Sequence, residues 1–265
     1  MEVNSILGYV GALIVGLVLG LIGGGGSILT VPVLVYLIGL NPVTATAYSL
    51  FVVGITSIFG TFQNFKKKLV HVKTAIIFSI PAFIAVYLTR RFIVPAIPEV
   101  VITIGDFDVS KNTFIMVFFA IIMLLASISM IIKRKTKNVK GQIIIYNYPL
   151  IAVEGIVVGI LTGLVGAGGG FLIIPALVVL AKLPMKKAIG TSLLIIAVKS
   201  LIGFLGDLHN LEIDWVFLIV FTTVSIMGIF IGIYISKFIS SKKLKHGFGW
   251  FILVMSFYII YKELF

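Results

Sequence analysis

A chain of 265 residues that is 60% hydrophobic and 11% charged, with a mean hydropathy of +1.23, is not a soluble protein, since soluble domains carry roughly 25% charged residues. The net charge of +12 does not point to nucleic acid, because the basic residues lie in short loops between apolar runs, the pattern that orients membrane proteins, and no soluble basic face remains for a polynucleotide. The absence of cysteine excludes disulfides, thiolate metal sites and thiol chemistry.

The first stretch, MEVNSILGYVGALIVG, holds Glu2 but no Lys or Arg. It lacks the positive start of a cleaved signal and reads as a membrane segment over Ser5–Ile22. Four glycines follow, Gly23, Gly24, Gly25 and Gly26, then Ser27 and a short apolar run, Ile28–Ile38. Each helical glycine costs about 1 kcal/mol relative to alanine, so the run predicts a break. In lipid, broken backbone survives only under protein cover or along a polar cavity. The short run suits a half helix or re-entrant piece.

Val43–Phe62 reads as a full span with many small residues, which permit close helix packing. A lysine-rich loop, Gln63–Lys73, leads to a span over Thr74–Tyr87 with Pro81 inside it, ended by Arg90 and Arg91. In Phe92–Asn112 the alternation around Gly105–Asp106 fits either a small hairpin or an irregular loop. Thr113–Ile132 is the next span, and Lys133–Gln142 is strongly basic.

The second half repeats the first. Leu150–Val165 is apolar except for Glu154, then Gly166, Gly168, Gly169 and Gly170 break it before Phe171–Ala181. Ala188–Leu205 is a span holding Lys199; Gly206–Asp214 is polar; Trp215–Ser236 spans; Lys237–Lys245 is basic; Phe248–Tyr261 spans last. A shift of 143 residues puts Gly16 on Gly159, Gly23 on Gly166, Pro32 on Pro175, Ser49 on Ser192 and Ser57 on Ser200. Over residues 16–60, 17 of 45 positions are identical, and glycines, prolines and serines held in register mark an internal repeat.

Placing the three strongest basic loops in the cytoplasm makes Val43–Phe62 run inward and Ala188–Leu205 run outward. Both termini are then expected outside. The expected fold is an all-α polytopic membrane protein of about eight to ten membrane helical segments, with two inverted-topology repeats, each carrying a Gly-rich broken or re-entrant helix pair. The first repeat is residues 1–132, the basic cytoplasmic linker 133–147, and the second repeat 148–265.

Helix N-termini at the glycine breaks offer N–H donors and a positive dipole end, which attract anions; tight packing also uses glycine. Lys199 within a span marks either a cavity charge or a snorkelling side chain. Ser49, Thr191 and Ser192 are small hydroxyls suited to substrate or to local backbone bonds. Glu154, Asp207 and His209 are candidates for coupling to a proton or sodium, with headgroup or solvated-loop roles as the alternative. No HExxH, intramembrane aspartate pair or Ser/His pair appears, and His71, His209 and His246 lie at loop edges, so no base is placed to activate Ser27.

The pair GLIGGGGSILTVP (Gly20–Pro32) and GLVGAGGGFLIIP (Gly163–Pro175), each followed by a helix with Ser-Leu at Ser49-Leu50 and Ser192-Leu193, resembles the sulfite exporter TauE/SafE family, also called the toluene-sulfonate uptake permeases. The halves differ where Ala47-Tyr48-Ser49 faces Gly190-Thr191-Ser192. The resemblance implies an ion-coupled multi-pass transporter in the cell membrane for sulfur-containing anions such as sulfite or organosulfonates. The expected partners are a small anionic substrate and the lipid bilayer, with no cofactor, no metal and no enzymatic step; a homo-oligomer stays open. An anion channel of the same fold, a carrier of another carboxylate or oxyanion, and an intramembrane enzyme or scaffold remain as alternatives.

Overall fold

The computed structural model describes residues 2–104, 107–131, 148–179 and 183–264. Helix α1, Glu2–Ile22, ends at the first glycine run. The chain then turns back through a 3-10 segment Gly24–Leu29, one α turn, α2 (Thr30–Pro32), and a π turn Val33–Leu37. This return lies against α1, with Ile38 beside Gly8 and Val33 beside Gly11. The short half helix expected over Ile28–Ile38 is thus a mixed 3-10, α and π segment.

Helix α3, Pro42–Lys66, is started by Asn41, whose side chain accepts from Val43 N at 2.9 Å, with Pro42 at a position that needs no N–H. Helix α4, Val72–Leu88, continues through a π turn Thr89–Ile93 into α5, Val94–Ala96. Val72–Ala96 is one 25-residue span, so Arg90 and Arg91 do not end it. Strands β1, Val100–Ile104, and β2, Phe107–Ser110, pair antiparallel, the hairpin form of the two expectations. Its turn at Gly105–Asp106 and the basic linker 133–147 lie outside the described residues. Helices α6, Lys111–Ile131; α7, Tyr148–Val165; α8, Gly170–Val179; α9, Met185–Asp207; α10, Trp215–Ile235; and α11, Ser241–Leu264, complete the described chain. Helix α11 begins inside the expected basic loop Lys237–Lys245.

Among the described residues, five helices are long and apolar enough to cross a membrane. Ile76, Ile80, Ile84 and Leu88 form an exposed stripe along α4; in water it would be unfavourable, and against acyl chains it is at home. The protein is an all-α multi-pass membrane protein, apart from the small hairpin.

At its centre α3 and α9 run antiparallel. Leu50 meets Gly203, Gly54 meets Leu201, Gly60 meets Leu193 and Asn64 meets Gly190. Helix α1 runs parallel to α10, with Gly16 on Ser225 and Gly20 on Ile229 and Gly232. Helix α7 runs parallel to α4, with Gly159 on Ala82 and Gly163 on Thr89. Two α1–α10 contacts recur in α7–α4 at positions shifted by 143: Gly16–Ser225 as Gly159–Ala82, and Gly20–Gly232 as Gly163–Thr89. A Cβ at Gly16 or Gly159 would strike a neighbouring backbone carbonyl, so glycine sets how close these helices lie.

The antiparallel pair defines two faces. Asn41 and Asp207 share one; Lys66 and Met185 share the other. Lys186 and Lys187 open α9, and Lys237 follows the end of α10, so these lysines join Lys66, Lys67 and Lys68 on the Lys66 face.

Candidate functional site

The helices stop where glycine permits a left-handed backbone. Gly23 has φ 76°, and Gly166, Gly168 and Gly169 have φ 69°, 61° and 68°, a region costly for side chains with a Cβ. In the second break Gly169 N bonds Ala167 O at 2.6 Å, and Leu172 N and Ile173 N both bond Gly169 O at 3.0 Å. Helix geometry leaves the N–H groups of Gly170 and Phe171, the first of α8, directed into the break.

The two breaks meet. A Cβ on Gly168 would lie 3.2 Å from Ser27 Cβ, 2.6 Å from Val53 Cγ1 and 3.5 Å from Ile196 Cγ2. Val53 and Ile196 are mid-helix residues of α3 and α9, so Ser27 and Gly168 abut at half height. The outer glycines travel past that level. Gly166 packs on Thr46, near the start of α3, and Gly23 lies by Ile189, near the start of α9. Each hairpin tip therefore overshoots the centre toward the opposite face, and the glycine runs overlap rather than touch end to end.

Lys199 is fully buried on α9. Its Nζ donates to Thr162 Oγ1 at 2.7 Å and lies 2.6 Å from where a Gly169 Cβ would sit. The side chain thus ends in the second break instead of reaching toward a membrane surface. No carboxylate lies in ion-pair range of Lys199 among the described residues. The equivalent positions in the first half are Thr56 and Leu19, both fully buried. Thr56 Oγ1 donates to Val52 O in its own helix at 2.6 Å.

Ser49 is fully buried and its hydroxyl has no partner among the described residues. Thr191 and Ser192 are engaged: Thr191 Oγ1 accepts from His71 N at 2.9 Å, and Ser192 Oγ donates to Ile189 O at 2.8 Å. Ser57 and Ser200, equivalent in the repeat, are both fully buried with unpartnered hydroxyls. Their match in register was visible in the sequence as a packing feature. That both hydroxyls are buried without a partner among the described residues was not.

The coupling candidates are scattered. Glu154 lies near the start of α7, about 18 Å of helix before Gly166, and is half-buried. His209 is exposed just beyond α9. Asp207 is not a solvated mouth residue: it is 2% exposed, and its Oδ2 lies 3.5 Å from Nε of Arg90, itself fully buried. Sequence reasoning passed over Arg90 because two arginines at the foot of an apolar run look like a helix end. Among the described residues no group of three or more His, Asp or Glu could hold a metal ion.

Comparison with known proteins gives a consistent picture. The family model described as sulfite exporter TauE/SafE matches residues 9–259. The chain is 28% identical over 269 residues to the "Probable membrane transporter protein" of Xylella fastidiosa (strain 9a5c), covering 99% of this chain and 98% of that one. It is 32% identical over 232 residues to the "Probable membrane transporter protein YunE" of Bacillus subtilis, covering 77% and 78%. It is 34% identical over 117 residues to the "Probable membrane transporter protein MJ0441" of Methanocaldococcus jannaschii, covering 42% and 44%. No solved structure matches the chain.

Proposed function

The chain belongs to the sulfite exporter TauE/SafE family, and on that premise we propose that this membrane transporter carries small sulfur-containing oxyanions, sulfite or an organosulfonate, by ion-coupled alternating access. One observation carries the reading. Lys199, fully buried and without a carboxylate in range, ends beside Gly169 at the second glycine break. A buried charge is costly unless compensated, and a neutral threonine hydroxyl compensates it only in part. A small anion between the breaks supplies the missing charge.

In this reading the anion is held where Ser27 meets Gly168. The breaks Gly23, Gly24, Gly25 and Gly26 on one side, and Gly166, Gly168, Gly169 and Gly170 on the other, offer backbone N–H groups. Lys199 adds a point charge from one side only. Ser49, Ser57 and Ser200 have hydroxyls available for the remaining oxygens, while Thr191 and Ser192 hold the backbone around them.

The antiparallel α3–α9 pair and the recurring 143-residue contacts support inverted-topology repeats. The lysines on the Lys66 face support a cytoplasmic assignment for that face. Tyr36, at the end of the first return, donates to Glu263 Oε1 at 2.9 Å, a contact that supports the end of α11 lying on the Asn41 face, the outer one in this reading. The elements that pack most tightly join one repeat to the other, so the bodies that move to alternate access cut across the repeats.

The test is flux into proteoliposomes for sulfite, methanesulfonate and acetate, with and without imposed proton and sodium gradients. Saturable flux of a sulfur oxyanion driven by one gradient supports the reading. Flux indifferent to both gradients turns the protein into a channel, and flux of acetate alone removes the sulfur specificity.

A further inference from the structure

The most demanding polar group outside the glycine breaks is Arg90. It sits at 0% exposure, in the π turn Thr89–Ile93 that carries α4 on into α5. A guanidinium stays charged under all ordinary conditions and brings five N–H donors in a rigid fork. In this protein the fork is poorly used. Nε is 3.5 Å from Asp207 Oδ2, too long for a charge-assisted hydrogen bond, and Nη1 and Nη2 have no partner among the described residues. The Oδ2 of Asp207 is also without a hydrogen bond. Thr89 beside it has a buried, unpartnered hydroxyl.

The repeat shows that the fold does not require this pair. The positions equivalent to Arg90 and Asp207 are Ile233 and Asn64. Both are buried, and Asn64 satisfies itself by donating to Gly60 O at 2.8 Å. One half closes this corner with an apolar residue and an amide, and the other places an under-bonded ion pair there.

The pair also has a particular location. A cleft of about 640 Å³ opens on the Asn41 face, lined by Asn41, Thr44, Glu99, Lys111, Asp207 and Asn210 among others. Asp207 is at once a wall of the cleft and the neighbour of Arg90. On the other side, Thr89 packs on Gly163, and Thr46, two residues past Thr44, packs on Gly166. Arg90 therefore lies between the cleft and the tip of the second glycine break.

We infer that Arg90 is a second oxyanion-binding subsite, set between the Asn41-face cleft and the glycine breaks, and that Asp207 is a tethered competitor which an incoming carboxylate, sulfonate or sulfite displaces. A planar or pyramidal oxyanion offers two oxygens to Nη1 and Nη2, a bidentate match that the single long contact with Asp207 does not provide. The carboxylate keeps the guanidinium compensated while the subsite is empty and, by repelling other anions, sets how readily they enter. The inference rests on the reading of the chain as an oxyanion transporter but uses a different set of residues.

The competitor role predicts opposite effects from the two partners. Binding of sulfite, methanesulfonate and acetate to the purified full-length protein, measured by titration calorimetry, separates the cases. Asp207→Asn is expected to tighten binding by about fivefold through loss of one repelling charge. Arg90→Gln is expected to weaken it by about tenfold or more, and Arg90→Lys, which keeps the charge but not the fork, by nearly as much. A gain in affinity cannot arise from a damaged fold, so Asp207→Asn keeps the test decisive even where an Arg90 variant folds poorly. Weakening by both Asp207→Asn and Arg90→Gln, or no change in either, reduces the pair to a structural tie and overturns the inference. If Gly169→Val alone abolishes binding, the glycine-break site stands and the Arg90 subsite falls. If the Arg90 and Asp207 variants move affinity in opposite directions while Gly169→Val binds normally, the subsite stands and the glycine-break site falls. Absence of binding for all three anions in both wild type and Asp207→Asn removes both.

Discussion

Gly23 and Gly166 turn the chain with nearly the same backbone, φ 76° and 69°, and each leans on the equivalent residue of the other half, Ile189 and Thr46. What lies just behind them differs. In the second half Thr162 and Lys199 form a buried polar contact at 2.7 Å beside Gly169; the matching positions in the first half are the buried Leu19 and Thr56, and Thr56 bonds its own helix. The returns differ too. The second is a plain α-helix from Gly170 to Val179, whereas the first changes from 3-10 through α to π. The two glycine breaks share a backbone turn, while the charge sits on one of them. Symmetry in this protein belongs to steric packing, and polarity is added asymmetrically on top of it.

The strongest way to break that comparison is at the shared backbone. Gly169→Val places a branched side chain at positive φ against Thr162 and Lys199 Nζ and is expected to reduce flux to background while the protein still inserts; wild-type flux would remove the second break from the site. Next comes the packing that both halves share. Gly16→Leu and Gly159→Leu drive a side chain into a neighbouring helix backbone, a cost of at least ~1–3 kcal/mol by analogy with overpacked cores. Both are expected to lower the melting temperature in detergent by similar amounts, and a large drop in only one would show that the two crossings are not equivalent.

The asymmetric part is sharpened by two milder changes. Lys199→Met keeps the stem and removes the charge; anion affinity should fall about tenfold, in keeping with a charged hydrogen bond worth ~1.5–3 kcal/mol, and binding should lose most of its salt dependence. Thr56→Val at the matching position removes only a hydroxyl that bonds its own helix, and affinity should change by less than about twofold. Equal losses from these two substitutions would mean that both halves grip the anion alike.

Much of this was legible in the chain. Runs of glycine inside apolar stretches announced the breaks, because few residues tolerate the backbone they impose and lipid penalises interruption. The 143-residue register paired Gly16 with Gly159 and Gly20 with Gly163, and these glycines pack on Ser225 and Ala82, and on Gly232 and Thr89, which the same shift relates. Arg90 was not legible. Basic residues after an apolar run are a helix-end signal, and the π turn that carries the helix past them leaves no local trace in composition. Its pairing with Asp207 joins α4 to α9, a tertiary choice that no spacing within either helix encodes. The 3-10 and π character of the first return escaped for a related reason: it follows from packing on α1, where Ile38 and Val33 must fit against Gly8 and Gly11.

The pairing of α1 with α10 and of α4 with α7 bears on how the protein is made. A chain synthesised only as far as α6 has the glycine face of α1 without Ser225 and Ile229, and Phe78 and Ala82 without Gly155 and Gly159. The early helices are inserted long before the partners that close their grooves are translated. The small-residue seams of α1 and α4 thus close only once α7 and α10 have been made.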